Sequence, residues 1–204
     1  LARAVAPRPR LLMLDEPFSS LDVELRVRLS ENLREFLKAS GTSALLVTHD
    51  QKEAFAIADQ IGVLRNGALE QWDSAFNLYH QPATRFVADF VGRGVFVPGT
   101  VLSSTEVEIE IGKVRGSLTR HYAAGSEVDV LLRPDDILHD DDSPLAATVS
   151  HKAFRGADIL YTLSLPSGAK VFSLVPSHHN HDVGSQIGIR LAADHIVAFD
   201  RESA

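Results

Sequence analysis

The stretch LLMLDEPFSSLD, residues 11–22, decides how the first part of the chain is interpreted. Its first four residues are apolar, and a short run of this kind is typical of a buried strand in a parallel sheet. Two carboxylates, Asp15 and Glu16, follow where that strand would end. Because open α/β sheets bind ligands beyond the carboxyl ends of their strands, this acidic pair marks a candidate site.

The segments after this stretch predict an alternation of helices and strands. Leucine and phenylalanine recur at helical spacing over about 22–39, where Asp22 can cap the N-terminus of a helix. A second apolar run, SALLVTH at 43–49, predicts another buried strand and places His49 at the same edge as the acidic pair. The dipeptide Asn66-Gly67 predicts the turn of a β-hairpin.

The pattern changes near residue 92. From there on, short alternating runs separated by turn residues predict the antiparallel strands of a small barrel or sandwich. The predicted strands cover 107–111, 127–132, 145–150, 158–165, 169–175, 186–192 and 195–199. We therefore predict two domains, an α/β part at 1–92 and an all-β part at 93–204.

Composition narrows the functional classes. The chain has 204 residues, of which 45% are hydrophobic, so it can bury a core. It contains no cysteine, which excludes disulfides, thiolate metal sites and cysteine nucleophiles. Its net charge of −7 argues against binding nucleic acid by neutralising phosphates.

The first part of the chain resembles a known family. LLMLDEPFSSLD followed by LLVTHDQKEAFAIADQIGVLRNGALEQ at 45–71 is similar to the second half of an ATP-binding-cassette (ABC) transporter ATPase. The resemblance covers residues 1 to about 91. It implies part of a P-loop NTPase of the α/β class, with ATP and Mg²⁺ as cofactors.

The resemblance also implies roles for individual residues. Asp15 would hold Mg²⁺ through water, and Glu16 would polarise the water that attacks the γ-phosphate. His49 matches the switch histidine, which contacts the γ-phosphate and helps hold Glu16 in place. Ser20 and Asp22 match the D-loop, which crosses to the partner subunit, so both are expected near bound nucleotide.

The phosphate-binding loop that such an ATPase needs does not occur in the 204 residues. Its pattern is G-x-x-x-x-G-K-[ST], and the only Gly-Lys pair here is Gly112-Lys113, with Val107 five positions before Gly112. The LSGGQ signature of the family does not occur either, whereas LARAVAPRPR at 1–10 resembles what directly follows it. We expect these residues to be the later portion of a longer ATPase and to be inactive alone.

Residues 93–204 resemble the transport-associated OB (TOBE) domain of importer ATPases. The resemblance lies chiefly in DVLLRPDDI at 129–137 and LPSGAKVFSLVP at 165–176. It implies an all-β, OB-like barrel that mediates contacts between two ATPase copies.

Taken together, the resemblances imply the ATPase subunit of a bacterial import system. The subunit would pair with a second copy at the cytoplasmic face of the membrane and drive permease subunits. A periplasmic or extracellular binding protein would act with it indirectly, and no nucleic acid is expected as a partner. Ferric iron is the first candidate for the transported solute, followed by sugars and polyamines.

Two alternative functions come from other classes. The chain could be a non-catalytic regulatory or dimerisation module, although Asp15, Glu16 and His49 would then have no chemistry to explain them. It could also belong to an ABC ATPase that acts on DNA or ribosomes, which the acidic charge and the TOBE-like tail disfavour.

Two further stretches contain residue types that bind metals. SHHNHD at 177–182 holds His178, His179 and His181, and histidine ligates transition metals, but a polar loop between strands is the preferred interpretation. DDILHDDD at 135–142 lacks the glycine turn and final glutamate of a calcium loop, so it is predicted to be a solvated acidic loop.

Overall fold

The computed structural model describes residues 2–7, 9–118 and 120–201, and the chain divides into two compact units, residues 1–79 and 80–204. The elements of the first unit are α1 (Ala2–Val5), β1 (Leu11–Asp15), α2 (Val23–Ser40), β2 (Ser43–Val47), α3 (Gln51–Ile57), β3 (Ile61–Arg65), β4 (Ala68–Asp73) and α4 (Ala75–His80), which ends at the division. Among the residues described, no helix combines the length and apolar character that a membrane crossing requires.

Strand β1 pairs with β2 in parallel, and helix α2 connects them. The register ends with Asp15 opposite Val47. Asp22 caps α2 by accepting a hydrogen bond from the backbone N–H of Leu25 at 2.9 Å. The helix ends at Gly41, whose φ of 62° lies in the left-handed region that favours glycine. The predicted strand–helix–strand arrangement and both helix boundaries are therefore confirmed. The prediction that both strands are buried is wrong for these residues, because β1 has one buried residue and β2 has none.

One face of the β1–β2 sheet is apolar and exposed. Leu11 and Met13 of β1 and Leu45 and Val47 of β2 are between 44% and 71% exposed. Side chains two residues apart point to the same face of a strand, so these four residues form one surface. Contiguous apolar surface of this kind usually marks a place where further polypeptide packs.

The second unit consists of helix α5 (Arg85–Val91) and two five-stranded sheets. The strands are β5 (Val95–Ser103), β6 (Glu106–Ile109), β7 (Gly112–Arg115), β8 (Glu127–Leu132), β9 (Ile137–His139), β10 (Ala146–Phe154), β11 (Asp158–Ser164), β12 (Lys170–Pro176), β13 (Gln186–Leu191) and β14 (Ala198–Asp200). One sheet has the order β12-β11-β10-β13-β9 and the other has the order β14-β8-β5-β6-β7.

The two sheets of the second unit share a hydrophobic core, and a smaller separate cluster packs Ala88 of α5 against Leu131, Val197 and Phe199. Val128, Val130 and Leu132 alternate along β8 and are at most 1% exposed, and they share one cluster with buried residues of the other sheet such as Val149 and Ile189. Alternation of this kind is typical of strands with one buried face. The predicted all-β, OB-like class is confirmed for this unit.

Strand β5 was not among the strands predicted from the sequence, because Pro98 and Gly99 lie inside it and both residues usually interrupt strands. Pro98 pairs with Asp129 of β8, while pairing with β6 on the other side starts only at Gly99, opposite Ile109. The missing N–H of Pro98 therefore interrupts no pairing with β6. A Cβ on Gly99 would lie 2.9 Å from the Ile109 side chain, so glycine is required there.

Helix α5 is fastened to the second unit by the buried Arg133, which is 2% exposed. One guanidinium nitrogen of Arg133 donates to the carbonyls of Ala88 at 3.0 Å and Gly92 at 2.7 Å, at the C-terminal end of the helix. The backbone N–H of Arg133 donates to Asp136 at 2.6 Å. Residues 80–92 thus belong to the second compact unit, while the domain boundary expected at 92/93 stays a prediction.

Replacing Arg133 with alanine should destabilise the second unit by about 2–3 kcal/mol, because the buried carbonyl of Ala88 and the partly buried carbonyl of Gly92 lose their donor. Hydrogen exchange of the β5 and β8 amides measures this loss as a lower free energy of opening. Arg190→Ala is the matched control, since the Arg190 side chain is 56% exposed and pairs with Asp140 at the surface, where losses stay below about 1 kcal/mol. Equal protection in both variants would contradict the assigned role of Arg133.

Candidate active site

The edge of the β1–β2 sheet brings Glu16 and His49 together. The backbone N–H of Glu16 donates to the carbonyl of Val47 at 2.8 Å, which extends the parallel pairing by one residue. His49 follows two positions after Val47, and its Nδ1 lies 2.9 Å from Oε1 of Glu16. The expectation that these side chains share one edge is therefore confirmed.

The backbone of Glu16 adopts an unusual conformation. Its φ of 43° lies in the left-handed region, which costs a residue with a side chain on the order of 1 kcal/mol or more. The turn that follows holds it there, because both the backbone N–H and the hydroxyl of Ser19 donate to the Glu16 carbonyl, at 3.3 and 3.1 Å. Strained residues of this kind cluster at functional sites.

The two side chains are electrostatically coupled and open to solvent. The hydrogen bond to Glu16, followed by the charge of that carboxylate, raises the pKa of His49 above its ordinary value. The His49 side chain is 73% exposed and that of Glu16 is 46% exposed. Below the raised pKa the two groups form an ion pair, and above it a neutral imidazole keeps the hydrogen bond. A ligand can reach both groups.

Arg26 and Asp50 connect the loops that follow β1 and β2 at this edge. Asp50 caps α3 by accepting from the backbone N–H groups of Lys52 at 2.9 Å and Glu53 at 3.3 Å, and its other oxygen accepts from Arg26 at 2.6 Å. Arg26 also donates to the carbonyl of Leu21 at 3.0 Å. Burial would raise the pKa of Asp50, but the hydrogen bonds from Arg26 and from the cap outweigh burial and lower it.

A small recess lies between these groups. It is lined by Glu16, Phe18, Ser19, Arg26, Thr48, His49, Asp50 and Glu53. Arg26 is not among the site residues predicted from the sequence, although one signal points to it. Arg26 stands four residues after the helix cap Asp22, which places it in the first turns of α2 near the following loops.

The other predicted site residues take separate positions. Asp15 is exposed at the end of β1, and Ser20 is exposed in the turn after it. Asp22 uses one carboxylate oxygen to cap α2. All three lie within the loop region that begins at the strand end, but the structure gives them no hydrogen bond to Glu16 or His49 among the residues described.

The acidic stretch at 135–142 is only partly solvated. Asp136 is buried, and burial raises its pKa although the Arg133 N–H opposes the shift. The prediction of a solvated loop is wrong for this residue, because its carboxylate closes the turn at Arg133. Asp140 pairs with Arg190 at 3.2 Å.

The histidine stretch lies beside the acidic one. The rings of His179 and His181 lie 4.9 and 4.7 Å from the ring of His139, measured between centroids. Burial, followed by the proximity of His139, lowers the pKa of His181. His139 is 40 positions before His179 in the chain, and no pattern in the sequence predicts that it joins this cluster.

Comparisons with known proteins relate the chain to a TOBE domain and to ATP-binding proteins of import systems. A protein-family model for the TOBE domain matches residues 130–199. The spermidine/putrescine import ATP-binding protein PotA of Pseudomonas fluorescens is 35% identical over 204 residues, covering 93% of this chain and 54% of the relative. The Fe(3+) ions import ATP-binding protein FbpC 2 of Rhizobium meliloti is 42% identical over 139 residues, covering 68% of this chain and 35% of the relative.

The chain spans about half the length of the polyamine-import relatives that it matches, between 47% and 58%. Among solved structures, the cytoplasmic molybdate-binding protein ModG with molybdate bound aligns with 54% of this chain and 97% of its own, at 18% identity and a TM-score of 0.45.

Replacing Glu16 with glutamine should lower the pKa of His49 toward its ordinary value of 6.5, because the amide keeps the shape of the side chain but removes the charge. A pH titration of the His49 ring followed by NMR measures the shift. Glu24→Gln is the control, since Glu24 is exposed in the first turn of α2. An unchanged His49 titration in the Glu16 variant would show that the two side chains are not coupled in solution.

Proposed function

Since the chain carries a TOBE domain and is homologous to the ATP-binding subunits of ABC importers, we propose that the intact protein is an ATP-hydrolysing subunit of a bacterial import system. It works as a pair of copies at the cytoplasmic face of the membrane and drives permease subunits, which receive solute from a binding protein. The hydrogen-bonded Glu16–His49 pair is the observation that carries this proposal.

In the proposed mechanism Glu16 is the catalytic carboxylate. Its side chain is partly exposed and held by His49, so it can orient a water molecule and accept its proton during attack on a γ-phosphate. The turn that holds Glu16 at φ 43° fixes where the carboxylate points. His49 restrains the carboxylate and can itself contact the γ-phosphate, because its ring is largely exposed.

Asp15 fits the position of a magnesium ligand. Its carboxylate is exposed at the end of β1, next to Glu16, where a hydrated cation can be held through water. When bound, Mg²⁺ neutralises charge that develops on the phosphates. Ser20 and Asp22 are proposed to face the nucleotide of the partner copy, and their position in the exposed turn before α2 supports this.

We propose that polypeptide outside these 204 residues provides the phosphate-binding loop. The exposed apolar face of β1–β2 supports this, because that face is suited to packing against further elements of a sheet domain. The barrel of the second unit is proposed to contact the second copy. The main alternative is a purely regulatory module. That alternative does not explain why Glu16 has a left-handed backbone and a hydrogen bond to His49.

The transported solute is proposed to be ferric iron first and a polyamine second. Iron is supported by the relative named for Fe(3+) ions, which is 42% identical. Polyamines are supported by relatives named for spermidine and putrescine, which are 31–36% identical over longer stretches. Uptake of radiolabelled iron and of spermidine by cells that lack the gene distinguishes the two solutes, since only the true substrate loses its uptake.

In the intact protein, Glu16→Gln should lower the rate of ATP hydrolysis by roughly 10²–10⁴-fold, because an amide cannot accept the proton of the attacking water. MgATP should remain bound and hold the two copies together. Phosphate release and size-exclusion chromatography with MgATP measure both effects, and Glu24→Gln should behave as wild type. Unchanged hydrolysis in the Glu16 variant would exclude Glu16 as the catalytic carboxylate.

The 204-residue chain by itself should bind MgATP no more tightly than the millimolar range, because the loop that cradles the phosphates supplies most of the contacts to them. Isothermal titration calorimetry of the isolated chain with MgATP measures this. A micromolar dissociation constant would contradict the proposal that the phosphate-binding loop lies elsewhere.

A further inference from the structure

We propose that His139, His179 and His181 form a binding site for a divalent transition-metal ion. Zinc is the first candidate, because it binds readily to imidazole ligands. One ligand atom from each ring lies within 4.8 Å of the other two. This site belongs to the second unit, goes beyond the proposed ATPase function and does not depend on it.

The three rings come from two segments that the strands bring together. His139 ends β9, while His179 and His181 lie in the loop between β12 and β13. Strand β9 pairs with β13, and the hydroxyl of Ser173 in β12 donates to the carbonyl of Ile137 in β9 at 2.6 Å. The end of β9 is therefore held against the loop that carries the other two histidines.

The loop itself is anchored by two side chains of neighbouring strands. The hydroxyl of Tyr161, a fully buried residue of β11, donates to the carbonyl of His179 at 2.9 Å and accepts from the N–H of His181 at 2.8 Å. Lys152 of β10 donates to the carbonyl of His181 at 3.0 Å and to the side chain of Asn180 at 3.0 Å. Two potential ligands are thus positioned before any ion binds, which limits the entropy lost on binding.

Two ring nitrogens of this cluster are buried and make no hydrogen bond within the described part of the chain. The His139 side chain is only 7% exposed. Its Nε2 and the Nε2 of His181 are buried and make no hydrogen bond among the residues described. A buried polar atom without a partner is costly, and a bound ion would satisfy it.

The chemistry of the cluster selects the kind of ion. Neutral imidazoles suit zinc, copper, nickel and iron, whereas calcium and magnesium prefer oxygen ligands. In a tetrahedral zinc site with Zn–N distances of about 2.0–2.1 Å the nitrogens lie about 3.3–3.4 Å apart. The ligand atoms here, which lie within 4.8 Å of one another, would therefore draw closer together when an ion binds. Three protein ligands leave a fourth position for water or another ligand.

Asp141 adds a negative charge beside the cluster. Its Oδ1 lies 3.0 Å from Nε2 of His139, although the two atoms are not aligned for a hydrogen bond. Because this carboxylate approaches the same nitrogen that would face the ion, Asp141 can itself supply the fourth ligand. Asp141 is itself 76% exposed, so its role can be tested without disturbing the core.

The proposal is tested by titrating the 204-residue chain, free of any histidine tag, with Zn²⁺ alone in isothermal titration calorimetry. One Zn²⁺ per chain should bind with micromolar or higher affinity and raise the temperature at which the second unit unfolds. Co²⁺ in place of Zn²⁺ should give the intense visible absorption of a tetrahedral site. A stoichiometry of zero, or weak binding that leaves the unfolding temperature unchanged, would overturn the proposal.

Single-residue variants in and near the histidine cluster test whether the ion binds there. His181→Gln and His179→Gln should each weaken Zn²⁺ binding by at least about 100-fold, and Asp141→Asn by roughly 10–100-fold. His121→Gln is the control, since His121 is exposed in the same unit but outside the cluster, and it should bind as wild type. Asp141 lies at the surface, so its variant stays informative even if a histidine variant misfolds. Equal affinity in the Asp141, His179 and His121 variants would show that the ion binds elsewhere.

Discussion

The parallel pairing of β1 with β2 is the constraint on which the candidate active site depends. It sets Asp15 opposite Val47, so that the next residues of both strands leave the sheet at one edge. Glu16 and His49 are 33 positions apart in the sequence, and at this edge Nδ1 of His49 lies 2.9 Å from Oε1 of Glu16. The attraction between two side chains this exposed contributes little stability by itself. Their geometry is imposed by the strands and by the turn that fixes the backbone of Glu16.

A second set of contacts keeps that edge rigid. Asp50 caps α3 and binds Arg26, while Arg26 binds the carbonyl of Leu21 in the turn that follows Glu16. One carboxylate and one guanidinium thereby connect α2, the loop after β1 and the loop after β2. These contacts hold the loop that follows Glu16 next to the loop that carries His49.

In the second unit, the pairing of antiparallel strands likewise decides which loop side chains lie close together. Arg133 fastens α5 to the sheets through two carbonyls at the helix end. Strand β9 lies against β13 and β12, and this placement carries His139 to the loop with His179 and His181. Both sites of interest therefore lie where loops leave paired strands, which is where a scaffold can present reactive side chains.

The sequence by itself determined the local elements and the chemistry at the strand end. Apolar runs, the cap at Asp22 and the Asn66-Gly67 turn have short-range physical causes, so they could be predicted correctly. Only the tertiary structure decided that β5 runs through Pro98 and that His139 joins the histidine cluster. Those outcomes depend on which strands become neighbours, and no local pattern encodes a contact between residues 40 positions apart along the chain.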